Sequence, residues 1–155
     1  MTPAINMARK AGVEYRIHEY THDPDCDSYG EEAAEKLGVS PQQVFKTLVV
    51  SLDGKNLAVG IVPVISKLSL KQIARAAGAK KAAMADPAEV ERATGYVLGG
   101  VSPLGQKKRL KTVIDSSAQA HARIHVSAGR RGLEIELAPG DLARLTGAVF
   151  APLAV

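Results

Sequence analysis

The chain has 155 residues, of which 46% are hydrophobic and 23% are charged, and its formal net charge is +4. These values are typical of one soluble globular domain, covering residues 1–155, with room for a sizeable core. No apolar run approaches the roughly 20 residues of a membrane span, and the first residues are not typical of a signal peptide. The single cysteine, Cys26, excludes an internal disulfide and indicates a reducing, cytoplasmic setting.

The N-terminal half is predicted to alternate between helices and strands. A helix begins at Thr2-Pro3, because proline is favoured at the first helical position, and Gly12 closes it. Further along, Asp53-Gly54 is typical of a two-residue hairpin turn. The other elements, in chain order, are a strand at residues 15–20, a helix at 30–37 capped by Ser28 and closed by Gly38, a helical turn from residue 40, and strands at 44–52 and 56–62.

The C-terminal half continues the alternation. Residues 69–72, Ser-Leu-Lys-Gln, form a capping box for a helix that ends near Gly78, and Asp86-Pro87 begins another that Gly95 closes. Strands are predicted at residues 111–115, 122–127 and 133–137, followed by a short helix at 141–145 and a last strand at 148–151. We therefore expect an α/β (α+β) fold with a mixed sheet.

Lys46 is the most informative residue of the strand at 44–52. Strand side chains alternate between faces, so Lys46 shares its face with Val44, Leu48, Val50 and Leu52 as the only charge there. An ammonium on such a face must reach water, pair with a carboxylate or meet an anionic ligand. The alternatives are a lysine at a sheet edge that extends to solvent, and a lysine that binds substrate.

A glycine-rich segment at residues 95–105 is the second feature with functional meaning. It contains four glycines and a proline, so its backbone can turn tightly and approach a ligand. Free backbone N–H groups in such a segment can hold an anion or polarise a carbonyl oxygen. The segment matches neither a Walker loop nor a dinucleotide-binding loop, and a purely structural loop is the alternative.

Basic residues gather in clusters at Lys80-Lys81, at Arg130-Arg131 and along Lys107, Lys108 and Arg109. Such clusters attract nucleic-acid phosphates, although they are also ordinary solvated surface. Because Lys107, Lys108 and Arg109 adjoin the glycine-rich segment, we expect them to guide an RNA acceptor end. Cysteine-plus-histidine metal patterns are absent, and the four histidines are not expected to form a ligand cluster.

Several of these segments together resemble the YbaK-type aminoacyl-tRNA deacylases, and most closely the bacterial Cys-tRNA(Pro) deacylases. The resemblance runs from Thr2 to about Phe150. The segments that carry it are His18-Glu19-Tyr20-Thr21-His22-Asp23-Pro24, Val44-Phe45-Lys46-Thr47-Leu48, Lys80-Lys81 with Met84-Ala85-Asp86-Pro87, residues 99–107 and residues 131–137.

The resemblance implies a compact, barrel-like mixed sheet flanked by helices. It also implies a free-standing enzyme that hydrolyses cysteine wrongly attached to proline tRNA, related to the editing domain of bacterial prolyl-tRNA synthetases. Such an enzyme is needed because a proline pocket rejects side chains of similar volume by only about 1–3 kcal/mol. The implied partners are the acceptor end of aminoacyl-tRNA and, as a further candidate, prolyl-tRNA synthetase. We expect no membrane contact, no metal and no cofactor.

Matching the family residue by residue implies a set of site residues. Lys46, Gly99 and Gly100 would act on the ester, with the glycine segment supplying backbone donors. Glu134 stands where close relatives often carry aspartate, which leaves its role open. The substrate-binding positions implied by the match are Tyr20, Tyr29, Thr47, Val101, Ser102, Pro103 and Ser127.

No nucleophile is recognisable in the sequence, since no Ser-His-Asp arrangement occurs and Cys26 lies in a loop without a matching motif. In the family, the thiol of the substrate is the proposed nucleophile, and it would expel the tRNA as a cyclic thiolactone. An activated water is the alternative. At the level of function, the alternatives are a deacylase for another aminoacyl group, such as Ala-tRNA(Pro), and a non-catalytic module that binds tRNA or nucleotides.

Overall fold

The computed structural model describes residues 1–26 and 28–155, which form five α-helices and eight β-strands. The helices are α1 (Pro3–Ala11), α2 (Tyr29–Leu37), α3 (Leu70–Ala77), α4 (Pro87–Thr94) and α5 (Pro139–Thr146). The strands are β1 (Tyr15–Glu19), β2 (Phe45–Leu52), β3 (Asn56–Pro63), β4 (Ala82–Met84), β5 (Lys111–Asp115), β6 (Ile124–Arg130), β7 (Leu133–Leu137) and β8 (Val149–Ala151). None of the helices in this described part combines the length and the apolar character needed to cross a membrane.

Local sequence signals set the helix ends. The side chain of Thr2 accepts a hydrogen bond from the N–H of Ile5, and that of Ser69 accepts one from the N–H of Gln72, so the predicted start of α1 and the predicted cap at Ser69 are confirmed. The predicted side-chain cap at Ser28 is wrong, because Ser28 occupies the position before α2 but its side chain makes no capping hydrogen bond to any described residue. All five helices end at a glycine in the left-handed conformation.

The strands belong to two sheets. The five-stranded sheet has the order β4-β2-β3-β5-β8, in which β2 and β3 form the predicted hairpin and β3, β5 and β8 run parallel. The three-stranded sheet has the order β1-β7-β6 and is antiparallel throughout. The prediction of a mixed α/β fold is therefore confirmed.

The expected barrel-like closure is wrong. The two sheets meet at an isolated parallel bridge between Val44 and His125, outside the named ladders of the described chain. One bridge does not continue a backbone ladder around a cylinder, which closure of a barrel requires.

Strand β2 contributes apolar side chains to a core on each of its faces. Phe45 and Val49 belong to the main core, which packs between the two sheets and α1. Val50 and Leu52 belong to a second core beneath α3. Because side chains alternate, Lys46 projects to the same side as Val50, at the end of the strand where that second core stops.

Some elements differ from the predicted ones. Strand β4 was not predicted, because three residues with little burial give no periodic signal. The 3₁₀ helix at Ser116–Ala120 was not predicted either, because five residues are too few to show a helical period. Strand β6 begins at Ile124 and extends to Arg130 through a register shift between Ser127 and Arg130, so the predicted strand at 122–127 ends too early.

Candidate active site

A pocket of about 310 Å³ lies beside the junction of the two sheets. Its walls come from the start of β2, from β6 and β7, from the first turn of α2 and from Leu98, Gly99 and Val101. The volume is at the small end of the range for ligand sites, which suits one compact group with part of a ribose. Gly30 allows α2 to close the pocket, since a Cβ there would lie 2.2 Å from Cγ1 of Val64.

Lys46 supplies a cationic group to the wall of the pocket. Burial lowers the pKa of its ammonium, the nearby carboxylate of Glu31 opposes that shift, and Lys67 adds to it. No carboxylate of the described chain lies within 4.0 Å of the Lys46 ammonium. A half-buried cation without an ion pair is a site for an anionic or strongly polar ligand atom.

Thr47 adds a second polar group with no protein partner. Its residue lines the pocket, and its hydroxyl oxygen is buried without a hydrogen bond to any described residue. A buried polar atom of this kind costs about 1–3 kcal/mol when it stays unpaired. Substrate is one partner that would remove this cost.

Strands β6 and β7 form the opposite wall through Ser127 and Glu134, which are paired across the strands. Burial raises the pKa of the Glu134 carboxyl to about 8. At neutral pH Glu134 is therefore mostly protonated and can donate a hydrogen bond to a carbonyl or hydroxyl oxygen. The hydroxyl of Ser127 accepts the N–H of Gly129 at 3.2 Å, which leaves its proton available to a ligand.

Tyr20 lies just beyond β1 and contributes a phenol to the same wall. Burial raises its pKa to about 12, and the carboxyl groups of Glu134 and Glu32 add to the shift. Its hydroxyl therefore stays protonated throughout the physiological range and serves as a donor or acceptor, never as an anion.

Arg131 and Tyr29 form the rim. The Arg131 guanidinium lies over the Tyr29 ring, 3.3 Å from the ring centroid, and its Nη2 donates to the carbonyl of Cys26. Its Nε is buried without a partner among the described residues. A stack of this kind contributes about 0.5–1 kcal/mol at an exposed site, and it holds a cation beside the pocket without neutralising it.

His22 has a structural connection to α2. Its Nδ1 lies 2.7 Å from Oε1 of Glu32, whose Oε2 accepts the N–H of Asp23 at 2.7 Å. Burial acts to raise the pKa of Glu32, but the hydrogen bonds from His22 and Asp23 outweigh it and hold that pKa below its usual value. This network fixes the segment after Tyr20 against α2, and His22 is consequently engaged away from the pocket.

Only part of the glycine-rich segment lines the pocket. Gly99 and Val101 line the pocket, and a Cβ on Gly99 would lie 2.7 Å from the Tyr29 ring. Gly100 is outside the lining, and its N–H already donates to the carbonyl of Val97 at 3.0 Å. Of the two backbone donors predicted at the glycines, that of Gly100 is therefore taken within the segment.

Ser102 and Pro103 are also placed outside the pocket lining. Ser102 is fully buried, and its hydroxyl accepts the N–H of Leu104 at 3.2 Å. Pro103 instead borders a separate depression beside α1. Ser102 and Pro103 therefore lie next to the pocket-lining part of the segment without lining the pocket themselves. Their predicted contact with substrate stays a prediction.

A model of the aminoacyl-tRNA editing domain matches residues 23–145 of the chain. The chain belongs to the aminoacyl-tRNA editing domain family. The resemblance to YbaK-type deacylases is thus confirmed, and the protein is an aminoacyl-tRNA deacylase.

Individual relatives cover most of the chain. EbsC of Enterococcus faecalis, provisionally named a Cys-tRNA(Pro)/Cys-tRNA(Cys) deacylase, is 39% identical over 152 residues, which are 98% of this chain and 92% of EbsC. ProXp-y of Escherichia coli, named a multifunctional Ser/Thr-tRNA deacylase, is 27% identical over 114 residues, or 72% of this chain and 66% of ProXp-y. A crystal structure provisionally described as a trans-editing enzyme for prolyl-tRNA synthetase superposes with a TM-score of 0.86 at 25% identity, over 99% of this chain and 95% of that one.

The basic cluster predicted to contact tRNA lies apart from the lining of the editing pocket. The backbone N–H groups of Lys107 and Lys108 donate to the carbonyls of Thr94 and Ala93 at the end of α4. Lys108 and Arg109 border the depression beside α1 that Pro103 also lines. All three side chains are exposed, so their predicted contact with the acceptor stem stays a prediction.

Arg131 and Glu31 are pocket residues that the sequence did not single out for the editing site. The sequence shows Arg131 as half of a basic cluster and as the first residue of the segment 131–137, but neither observation predicts its stacking on Tyr29. The alternation of Leu133–Leu137 places Glu134 and Glu136 on one face, away from the core. Residues of β2 and α2 lie around Glu134 in the folded chain. Strand alternation alone does not predict that Glu134 is buried there.

A second group of polar side chains lies on the same sheet face as Glu134. His18, His125 and Glu136 each place one potential metal-ligand atom within 4.8 Å of the others. The sequence did not predict this arrangement, in which two of the four histidines lie beside a carboxylate. The prediction that ester cleavage needs no metal is a separate matter and stays a prediction.

Proposed function

We propose that this deacylase removes cysteine from Cys-tRNA(Pro), and also from Cys-tRNA(Cys), as a free-standing editing enzyme. The observation that carries this proposal is the half-buried Lys46 ammonium, which stands without an ion pair in a pocket of about 310 Å³. The identity of 39% to EbsC over nearly the whole chain supports cysteine as the amino acid.

Lys46 would hold the end of the tRNA. An ammonium at the pocket wall can bind the terminal phosphate or the ribose hydroxyls of the last adenosine, and its hydrogen bonds are strengthened by partial burial. The exposed side chains of Tyr29 and Leu98 at the rim offer apolar surface to the base. The ester carbon would then lie between β2 and β7.

The ester carbonyl would be polarised by groups that have no competing partner. The protonated Glu134 and the free hydroxyl proton of Ser127 are candidates on one wall, and the Thr47 hydroxyl is a candidate on the other. The N–H groups of Gly99 and Val101 find no acceptor among the described residues. Donors aimed at developing negative charge are the largest contribution to many acyl-transfer reactions.

The nucleophile would be the thiol of the substrate cysteine. No histidine lines the pocket in the described chain, and Cys26 lies outside the lining, with its sulfur 3.8 Å from the carbonyl oxygen of Ser28. In the proposed step, the substrate sulfur forms a bond to the ester carbon and the bond to the ribose oxygen breaks. The thiol proton goes to the ribose oxygen, which leaves tRNA and a cyclic thiolactone that water then hydrolyses.

A second candidate function is removal of serine or threonine, which the similarity to ProXp-y favours. This chemistry would use an activated water, because a hydroxyl is a far weaker internal nucleophile than a thiol near neutral pH. The Ala-tRNA(Pro) alternative would need the same water. Prolyl-tRNA synthetase is proposed as a partner that delivers the mischarged tRNA.

The test is a deacylation panel with Cys-, Ala-, Ser-, Thr- and Pro-tRNA(Pro) together with Cys-tRNA(Cys). The proposal predicts fast cleavage of both cysteinyl substrates, slow cleavage of the others, full activity of Cys26→Ser, and a thiolactone trapped at early times. Equal rates for Ala- and Cys-tRNA(Pro) would eliminate the thiol mechanism. Binding of tRNA with a steep salt dependence but no cleavage of any ester would indicate the non-catalytic module.

A further inference from the structure

His18, His125 and Glu136 come together because the register of the three-stranded sheet aligns them. His125 is paired with Glu136 across β6 and β7, and His18 is paired with Glu134 across β1 and β7. His18 therefore reaches Glu136 diagonally, and its Nε2 lies 2.8 Å from Oε1 of Glu136. Their neighbours Ile135 and Val126 point into the main core, so the cluster occupies the opposite face of this sheet.

His125 carries the strongest sign of an additional ligand. The residue is 5% exposed, and its Nδ1 is buried without a hydrogen-bond partner among the described residues. Its ring centroid lies 5.2 Å from that of His18. A buried ring nitrogen without a partner is destabilising, and coordination of a metal ion would remove that cost.

We propose that His18, His125 and Glu136 bind one divalent transition-metal ion of the zinc class. Two imidazole nitrogens and one carboxylate oxygen form a ligand set that suits Zn²⁺, Co²⁺ or Ni²⁺, whereas Mg²⁺ and Ca²⁺ prefer oxygen alone. Bonds of about 2.0–2.2 Å around one ion require its ligand atoms to lie roughly 3–3.5 Å apart. The three atoms already lie within 4.8 Å of one another, so small side-chain rotations suffice.

The partial exposure of two of the ligands favours a metal site with a coordination position open to water. The side chains of His18 and Glu136 are 31% and 17% exposed, which leaves room for water as a further ligand. Arg123 acts on Glu136 and opposes a cation, but its Nη2 lies 2.8 Å from Oε1 of Glu14, which offsets that charge. The ion would link β1, β6 and β7 side by side, and it would therefore stabilise the sheet that carries Glu134.

The experiment uses the untagged full-length protein, stripped of metal and carrying Cys26→Ser so that no thiolate competes for the ion. Titration with Zn²⁺ and with Co²⁺ is followed by calorimetry, and Co²⁺ is also followed by its visible absorption. The expected result is one ion per chain and a higher melting temperature with metal, because an ion that binds only the folded state stabilises it. His125→Ala should weaken binding by about tenfold or more.

His121→Ala is the matched control, since His121 is a histidine outside the cluster, and it should bind the ion like the parent protein. Glu136→Gln provides a second ligand variant, which decides the matter if His125→Ala does not fold. Binding that is unchanged in the folded ligand variants, or the absence of stoichiometric binding by the parent protein, would overturn the proposal. None of these measurements depends on deacylation, so they are independent of the proposed substrate.

Discussion

The strand walls of the pocket and the glycine-rich segment use their polar groups in opposite ways. On the strands, Lys46 has no ion pair and Thr47 has no hydrogen bond, in each case among the described residues. In the glycine-rich segment, the N–H of Gly100 and the hydroxyl of Ser102 are bonded within the segment itself. The difference supports the proposal that the strand side chains act on substrate, whereas Gly100 and Ser102 maintain the shape of the segment. The N–H groups of Gly99 and Val101, which have no acceptor among the described residues, are the part of the segment that stays available to substrate.

Replacement of Lys46 should have the largest effect on activity. Lys46→Met is expected to lower the deacylation rate by about 10²–10³-fold, the loss typical of one preorganised polar group. Stability should change little, because methionine keeps the apolar stem and removes a partly buried charge. The measurement is single-turnover deacylation beside thermal melting.

Lys67→Met is the matched control for Lys46. Lys67 is an exposed lysine whose charge acts on Lys46 from outside the pocket lining. It should retain nearly full activity. If the folded Lys46→Met protein cleaved at the parent rate, the strand wall would lose its catalytic assignment.

Two alanine substitutions in the glycine-rich segment should separate shape from support. In Gly100→Ala, the new Cβ would lie 2.8 Å from the backbone Cα of Arg130, and overpacking of this kind destabilises by about 1–3 kcal/mol. In Gly99→Ala, the Cβ meets the Tyr29 ring at a backbone φ of 91°, so we expect a displaced ring and slower cleavage.

The readouts for these two variants are denaturant unfolding and single-turnover rates. Gly100→Ala should mainly shift the unfolding midpoint, and Gly99→Ala should mainly shift the rate. The opposite pattern would mean that the backbone at Gly100 takes a direct part in the chemical step.

Glu134→Gln should change the pH dependence of stability. Folding raises the pKa of Glu134 from 4.5 to about 8, so its neutral form is the one that the fold favours. The stability that Glu134 contributes to the fold is fully present below pH 4.5 and is lost as the pH rises through about 8. Relative to Glu134→Gln, the parent protein should thus lose stability across this window, by roughly 1 kcal/mol per pH unit. Parallel stability curves for the two proteins would refute the buried, protonated carboxyl.

The smallest effect is expected for Lys107 and Lys108, which lie outside the pocket. Replacing both with alanine should weaken tRNA binding and reduce the slope of log affinity against log salt, by about 0.7–0.9 for each lost phosphate contact. Single-turnover cleavage at saturating tRNA should be unaffected. An unchanged salt slope would place this cluster away from the RNA, and the exposed Arg130 would be tested next.

The sequence predicted most of the helices and strands because their signals are local. The Thr2 and Ser69 caps and the Asp53-Gly54 hairpin depend on residues within a few positions of each other. The pocket position of Lys46 followed from strand alternation together with the family resemblance. By contrast, the protonation of Glu134, the stack of Arg131 on Tyr29 and the cluster at His125 all depend on which distant strands become neighbours. Burial of Ser102 likewise depends on tertiary packing, and local patterns do not report it.

The junction between the two sheets has an evolutionary consequence. Val44 and His125 supply an isolated bridge at this junction, and the two walls of the pocket belong to separate hydrogen-bonded ladders, so side chains on one wall can change without altering the strand register of the other. Selection can therefore alter the side chains of the cleft while the scaffold persists. Such variation is consistent with the names of two relatives, one for cysteinyl-tRNA and one for seryl- or threonyl-tRNA.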